Sequence, residues 1–492
     1  MKNIFLQSNL SIKFLARDTA FYGIMTGLTR LSAFILVPLL TRSLSKGEFA
    51  VVDTLLMLST MGLVLGNAGM DSALMFHYYH VPQSERSCYV ATGLWIRFTF
   101  GLLVALLGIL FAPAISSGVF GNEEFTLWTI LAVASVPFAL VVSYALDVLR
   151  IERARWWFMS LSLLRVVLLI SGSWVILESV HSDRVESFLI FRTIPEFIVA
   201  LCLVGLMARK HRLFRVGKKA AWDLLRYGMP LVPAAFMLWA LTFIDRWYLF
   251  QSIELSQVGV YALAVKVGMV LTLFTSAIQM AFNPFSMAVK EDERSGVFYA
   301  RAFSLTMCAA VASVVLICAN LSWIVGVIGG ATGYADASLP AAILLIGNLF
   351  HTAFVFVSTG ANIKRKTMFH VYAFLVALLV DILLLIVLVP AWGIVGAAVA
   401  VCCGHVVLAA TTLALSHRVH PIQFNILPVG AGIMAGAAVS LIIATQFSGG
   451  GVTSILLQNL VILLFIPILF RIMLGKNEGG KLFQLFRPTV VK

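Results

Sequence analysis

The amino-acid sequence predicts an all-α integral membrane protein with 14 transmembrane helices. Of its 492 residues, 61% are hydrophobic and only 12% are charged, with a mean hydropathy of +0.99. Soluble domains carry roughly twice that share of charged residues, ~25%. Apolar runs of about 20 residues, the length that crosses the hydrocarbon layer as a helix, recur along the whole chain. Loops that are rich in lysine and arginine alternate along the chain with loops that have few, as expected when successive loops lie on opposite sides of a membrane.

The predicted spans follow one another through short loops, so the chain leaves little room for a soluble domain. Their approximate limits are 20–41, 49–76, 89–112, 125–149, 156–177, 187–207, 226–250, 257–282, 299–328, 336–360, 368–389, 393–416, 426–446 and 452–474.

The distribution of basic residues sets the expected orientation. With the N-terminus inside, the inner segments carry 26 of the 35 lysine and arginine residues, the outer loops carry 3, and the remaining 6 lie within spans. This bias predicts that both termini are cytoplasmic. Because the surplus of 13 positive charges is spread over short loops, it does not predict nucleic-acid binding.

A weak internal repeat predicts two lobes. Val37 to Leu44 resembles Leu241 to Tyr248, and Ile151 to Phe158 resembles Ile363 to His370, at offsets of 204 and 212 residues. We expect two pseudo-symmetric six-helix lobes, 1–215 and 216–420, around a central cavity, with two appended spans and a cytoplasmic tail at 421–492.

Six basic side chains are predicted within spans, where charge is costly and side chains usually face an interior or a cavity. Because guanidinium groups bind phosphate bidentately, an excess of them predicts an anionic ligand, above all a phosphate or diphosphate. Snorkelling to the membrane interface is the alternative, mainly for Arg97, Arg192 and Lys266. The six bases are Arg30, Arg97, Arg165, Arg192, Arg246 and Lys266, with Arg30 and Arg165 the deepest.

The acidic residues within spans suggest partners for these bases. Arg192 and Glu196, four residues apart on one helix, are predicted to form an ion pair. Asp245 and Arg246 are adjacent and point about 100° apart. We therefore expect them to find partners on other helices or in a ligand rather than in each other.

A coupling ion or proton is a further possibility at two polar side chains of the second half. Asp381 and His351 lie within predicted spans and are candidates, although a lone histidine on an apolar helix is more often a packing residue. No cluster has the spacing of a metal site, and we expect no cofactor.

Several stretches resemble the polysaccharide export flippases of the Wzx or PST family. They are RYGMPLVPAAFMLWALTFIDRWYLF (226–250) with VGVYALAVKVG and AFNPF after it, LTRLSAFILVPLLTRSLSKGEF in the first span, and WGIVGAAVAV in the twelfth. The resemblance covers nearly the full length in order and spacing.

The resemblance implies an alternating-access transporter of the superfamily that includes multidrug exporters and lipid II flippases. Such proteins move polyprenyl-diphosphate-linked oligosaccharides to the outer leaflet of the bacterial cytoplasmic membrane, for O-antigen, capsule or exopolysaccharide assembly. Polymerases and other assembly proteins are the expected partners, beside membrane lipid. The resemblance implies that Arg30, Arg246 and Lys266 contact the diphosphate or sugars, with Asp245 as a partner. Arg97 and Arg165 join them from this sequence alone, and the topology makes Asp245 a candidate for an outer gate.

Three alternatives remain at this stage. A lipid II-type flippase is chemically close, and a small-molecule or multidrug exporter would favour an acidic cavity over the basic one predicted here. A membrane glycosyltransferase or polysaccharide polymerase belongs to another class, and the short outer loops offer it no obvious catalytic domain. We therefore expect a transporter and not an enzyme.

Overall fold

A computed structural model describes residues 25, 27, 34–180, 183–288, 295–330, 333–364, 366, 368–446, 459, 462 and 465–473. Within these residues the regular structure is helical and contains no strand, which confirms the all-α class. Arg30, a predicted ligand of the diphosphate, lies outside the described residues.

The chain divides into two units, Met1–Gly259 and Val260–Lys492. The six-helix lobes predicted from the sequence stay a prediction. The helices that begin in unit 1 are α1 Phe34–Ser43, α2 Lys46–Asn67, α3 Met70–His80, α4 Gln83–Leu110, α5 Ala112–Phe120, α6 Thr126–Ala134, α7 Val136–Ile151, α8 Arg155–Ser179, α9 Arg184–Lys210, α10 Lys218–Gly228, α11 Val232–Ser252 and α12 Leu255–Gly268. Those of unit 2 are α13 Val270–Ala288, α14 Ser295–Ala319, α15 Leu321–Gly329, α16 Ser338–Val357, α17 Thr359–Ile363, α18 Met368–Val419 and α19 Ile426–Gln446.

Eleven stretches of helix within the described residues are long and apolar enough to cross a membrane. They match the second to thirteenth predicted spans, because Met368–Val419 contains two of these. The predicted spans 20–41 and 452–474 fall largely outside the described residues, so the total of 14 stays a prediction. The chain is thus a multi-pass membrane protein.

The two spans inside α18 fold back on each other at Gly393, whose φ of 56° and ψ of −132° are not helical. Glycine adopts a positive φ without the steric cost that a Cβ brings. A Cβ on Gly396 would lie 2.2 Å from the Leu388 carbonyl oxygen, and one on Gly404 would lie 3.3 Å from Cβ of Asp381. These contacts show that the two halves run antiparallel at close distance.

Helix α2 has a well-defined start and end. The Ser45 hydroxyl accepts a hydrogen bond from the Glu48 amide, and the Glu48 carboxylate accepts one from the Ser45 amide, which is a capping box. The helix ends where Ala68 and Gly69 both take positive φ values of 47° and 68°, and α3 follows directly.

A second helix is interrupted at the same place. Helix α10 ends at Gly228, a 3-10 turn containing Pro230 follows, and α11 continues. A Cβ on Gly69 would lie 2.3 Å from the Gly228 carbonyl oxygen, so the two backbones touch at the two breaks. Helix α10 therefore packs on α3 while α11 packs on α2, which brings Arg246 to Asp53.

Candidate functional site

One candidate site is a buried group of three charged residues, Asp53, Asp245 and Arg246, which we call the Arg246 cluster. Arg246 Nε donates to Oδ2 of Asp53 at 3.1 Å, and Nη1 contacts Oδ1 of Asp245 at 3.3 Å. Nη1 also donates to the Thr242 carbonyl oxygen at 2.7 Å. Arg246 is only 1% exposed, and both acids are buried. The guanidinium group is therefore sealed from solvent and joins α2 to α11.

The sequence predicts that Asp245 and Arg246 find partners on other helices or in a ligand and do not pair with each other. Arg246 does have a partner on another helix, as predicted. The expectation that Asp245 and Arg246 do not pair was wrong, because the long arginine side chain folds back along α11 and reaches the Asp245 carboxylate. That carboxylate also accepts from the Arg246 amide at 2.8 Å.

The Ser252 end of α11 is held by further contacts within unit 1. Trp247 Nε1 donates to the Gly118 carbonyl oxygen at 2.8 Å, and Gln251 Nε2 donates to the same oxygen at 3.2 Å. The rings of Phe250 and Phe120 meet edge to face, with centroids 5.0 Å apart. Helix α5 therefore contacts the same end of α11 that α2 contacts through the Asp53–Arg246 ion pair.

A second charged group, the Glu196 cluster, comprises Arg165, Arg192 and Glu196. Arg165 donates from Nε at 2.9 Å and from Nη2 at 2.5 Å to one oxygen, Oε1 of Glu196. Arg192 interacts electrostatically with both other members. The Arg165 side chain is 34% exposed, whereas that of Glu196 is 8% exposed. One carboxylate is therefore bound by Arg165 with Arg192 nearby, and both arginines remain partly exposed.

This arrangement corrects the predicted pairing within α9. Glu196 accepts hydrogen bonds from Arg165 on α8 and not from Arg192 on its own helix. Arg192 instead makes a long contact of 3.4 Å to the Ser135 hydroxyl. The i to i+4 rule considers a single helix, and here the packing of α8 against α9 supplies a closer donor.

Arg97 lies in the interior of unit 1, between α4 and α7. Nη1 donates to the Ser143 hydroxyl at 2.9 Å, Nη2 lies 3.5 Å from Oδ2 of Asp147, and the guanidinium sits 5.0 Å from the ring centroid of Tyr144. Arg97 is 1% exposed, so it is enclosed in this conformation. Its predicted contact with a ligand stays a prediction.

The remaining predicted residues belong to unit 2. Lys266 is partly buried near the end of α12. His351 faces His405 with ring centroids 5.4 Å apart, and Asp381 is fully buried beside Gly404. The structure thus brings His351 of α16 next to His405 of α18. Within the described residues, no group of three or more His, Cys, Asp or Glu side chains could hold a metal ion.

Asp53 is the residue that sequence reasoning passed over, because it lies near the end of a predicted span. A usable signal was present. Asp53 follows the apolar run Phe49 to Val52 on a helix whose only basic residue, Lys46, lies seven positions earlier, about two turns away. A fully buried acid on such a face requires a partner from another helix.

A third group joins α4 near its start to the ends of α7 and α9; we call it the His211 cluster. The Glu152 carboxylate contacts Lys210 Nζ at 2.7 Å and His211 Nε2 at 2.9 Å. The Ser87 hydroxyl lies 3.2 Å from His211 Nδ1. Burial alone would raise the pKa of Glu152, but the hydrogen bonds from His211 and Lys210 outweigh it and hold that pKa below its usual value.

Comparisons with known proteins bear on both family and fold. A family model described as polysaccharide biosynthesis protein matches residues 39–332. No curated protein matches the chain.

Among solved structures, the chain is similar to the lipid II flippase MurJ in an inward closed conformation, with a TM-score of 0.70 and 15% identity over 92% of this chain and 98% of that one. It is also similar to an inward-facing multidrug resistance MATE transporter of the MOP superfamily, with a TM-score of 0.62 and 14% identity over 85% and 96% of the two chains. The bent form of the Vibrio cholerae MATE transporter VcmN gives a TM-score of 0.59 and 12% identity over 88% and 100%. These structural likenesses show the fold of membrane transporters. Because the family match covers more than half of the residues, the chain belongs to the polysaccharide biosynthesis protein family, as its sequence motifs predicted.

Proposed function

We propose that this protein is a flippase for polyprenyl-diphosphate-linked oligosaccharide repeat units. It moves them by alternating access from the cytoplasmic to the outer leaflet of the bacterial cytoplasmic membrane, for O-antigen, capsule or exopolysaccharide assembly. Membership in a polysaccharide biosynthesis family and the fold shared with flippases and transporters support this proposal. The observation that carries it is the Glu196 cluster, where two arginines inside apolar helices share one carboxylate.

The chemistry of the Glu196 cluster suits a diphosphate. Both hydrogen bonds from Arg165 to Glu196 go to a single carboxylate oxygen, although a guanidinium group can hold two acceptor oxygens side by side. A diphosphate offers several such oxygens and more negative charge than one carboxylate. It would therefore take the place of Glu196 on Arg165 without leaving the arginine unpaired in the membrane.

The Arg246 cluster suits a different step, the gating of the outer side. Asp53 belongs to the predicted first lobe, whereas Asp245 and Arg246 belong to the predicted second lobe. Opening the lobes at this end requires the contact between Arg246 and Asp53 to break, and the contacts of α11 with α5 to break with it. The topology predicted from the basic residues puts this end on the outer face.

The other predicted residues take supporting roles in this proposal. Arg30 contributes to the initial grip on the diphosphate, and Lys266 contacts the sugar-bearing end of the path. Asp381 and His351 are candidates for a coupling ion or proton. Asp381 is buried and His351 is partly buried in unit 2, where a change of charge would be strongly felt.

The test uses a strain whose surface polysaccharide depends on this protein, complemented with Arg165→Ala or Arg165→Lys. Loss of the charge-assisted contact should reduce export about tenfold or more in Arg165→Ala, with partial export in Arg165→Lys. Surface polysaccharide and lipid-linked repeat units retained in the cell are both measured. Arg150→Ala is the matched control, because Arg150 is an exposed base at the end of α7 that, like Arg165, contacts a carboxylate. Normal export by Arg165→Ala at wild-type protein level would contradict the proposal.

A lipid II-type flippase is the second candidate, favoured by the likeness to MurJ. The two candidates differ in the sugar attached to the lipid diphosphate. Mass spectrometry of the lipid-linked intermediate that accumulates in a deletion strain separates them. An exporter of small cations would show no such intermediate, and sugar transfer by the purified protein would instead indicate a glycosyltransferase.

A further inference from the structure

We propose that residues 209–229, here called the basic segment, form a docking surface for the headgroups of anionic phospholipids. The segment joins α9 to α11 and includes α10. The proposal concerns the lipid that surrounds the protein, so it does not depend on which substrate is carried.

The basic segment is an ordered surface, held on unit 1 by hydrogen bonds along its length. Asp223 accepts from the Tyr89 hydroxyl at 2.6 Å, and the Leu213 carbonyl oxygen accepts from Trp95 Nε1 at 2.9 Å. The Gly217 amide donates to the Thr92 hydroxyl at 3.1 Å. His211 is buried in the His211 cluster at the start of the segment. These anchors fix which side chains point away from the protein.

Helix α10 presents a mixed aromatic and basic face. Ala220, Leu224 and Gly228 recur every four residues and are buried against α3 and α4. At about 100° per residue, Trp222 and Arg226 fall on the opposite face. Both are exposed, Trp222 by 67%.

Charge on the outward side of the segment is of one sign. Asp223, the one acid between residues 209 and 229, turns towards Tyr89. The aromatic Phe214 stands out beside the bases and is 91% exposed. The exposed bases are Arg209, Lys210, Arg212, Arg215, Lys218, Lys219 and Arg226.

Anionic lipid fits this combination better than the other possible occupants. Lysine and arginine residues whose only role is to orient the protein in the membrane need neither an ordered helix nor exposed aromatic side chains beside them. Tryptophan and phenylalanine with lysine and arginine on one ordered surface are typical of segments that lie at the lipid headgroups, the rings among the upper acyl chains and the bases on phosphate. An acidic protein would match the charge but would leave the function of Trp222 and Phe214 unexplained.

The test reads the contact of Trp222 with lipid directly. The full-length protein is reconstituted in phosphatidylcholine vesicles containing brominated phosphatidylglycerol or, at the same mole fraction, brominated phosphatidylcholine. The quenching of Trp222 is obtained by subtracting the tryptophan fluorescence quenching of Trp222→Phe from that of the wild type. We expect brominated phosphatidylglycerol to quench Trp222 more strongly than brominated phosphatidylcholine. This difference should become smaller as the salt concentration is raised.

In a variant with Lys218→Gln, Lys219→Gln and Arg226→Gln, the preference for phosphatidylglycerol over phosphatidylcholine should fall at least about fivefold. That is the factor expected from removing one base near an anionic surface. The control is Lys364→Gln, Lys366→Gln and Arg418→Gln, which removes three exposed bases from unit 2 and should keep it. Equal quenching by both lipids in the wild type would overturn the proposal. No quenching by either lipid would overturn it too, since Trp222 would then not lie at the membrane.

Discussion

The Arg246 cluster and the Glu196 cluster use the same chemical groups in opposite proportions. In the first, two carboxylates enclose one arginine that is 1% exposed; in the second, two arginines surround one carboxylate, and Arg165 is 34% exposed. A sealed arginine is suited to holding helices together. An accessible arginine with a replaceable partner is suited to receiving an anion. The position of an arginine within a span therefore does not distinguish these two arrangements, whereas its exposure and the number of its carboxylate partners do.

The largest effect that tests this comparison is expected from Arg246→Ala. It leaves Asp53 and Asp245 buried without the guanidinium group, and breaking a buried ion pair costs ~3–5 kcal/mol. The melting temperature of the purified protein in detergent should fall markedly. Adding Asp53→Asn to the same chain should recover part of the loss, because one stranded charge is removed. A melting temperature unchanged by Arg246→Ala would show that the cluster does not hold α2 to α11.

A smaller effect on stability, but a gain in binding, is expected from Glu196→Gln. Because the Arg165 side chain is 34% exposed, the loss of stability should be smaller than the loss expected from Arg246→Ala, whose arginine is 1% exposed. Binding of polyprenyl diphosphate should tighten, since the competing carboxylate is gone. Glu178→Gln is the matched control, because Glu178 lies on α8 and accepts from Trp174 at an exposed position. Weaker binding in Glu196→Gln would contradict the role of Glu196 as an exchangeable partner of Arg165.

The smallest effect concerns the His211 cluster, an ion pair outside the spans. Since the folded pKa of Glu152 is below its usual 4.5, its contribution to stability is complete above pH 4.5 and is lost as the pH falls through the folded pKa. Glu152→Gln should therefore lower the melting temperature at neutral pH and make little difference at pH values well below 4.5. An equal difference between wild type and variant across this range would contradict the linkage.

The sequence carried enough information to predict the class of fold and the residues that need partners, but not the partners. Hydropathy and loop charge report on single helices, so the spans between 46 and 446 could be located. Asp245 and Arg246 were expected to seek another helix because buried charge is costly. Asp53 is the partner of Arg246 on another helix, and this pairing depends on which helices become neighbours. The same limit explains why Arg192 was chosen for Glu196, whereas Arg165 on α8 is the donor.

The contact between Gly69 and Gly228 has a mechanical consequence. Helices α3 and α10, each of 11 residues, extend about 16 Å beyond this contact at 1.5 Å per residue. Bending both helices at that point by about 10° would carry their far ends through roughly 3 Å, the length of a hydrogen bond. A methyl group at either glycine would meet the backbone of the other break, so alanine at either position should push α3 and α10 apart at this contact.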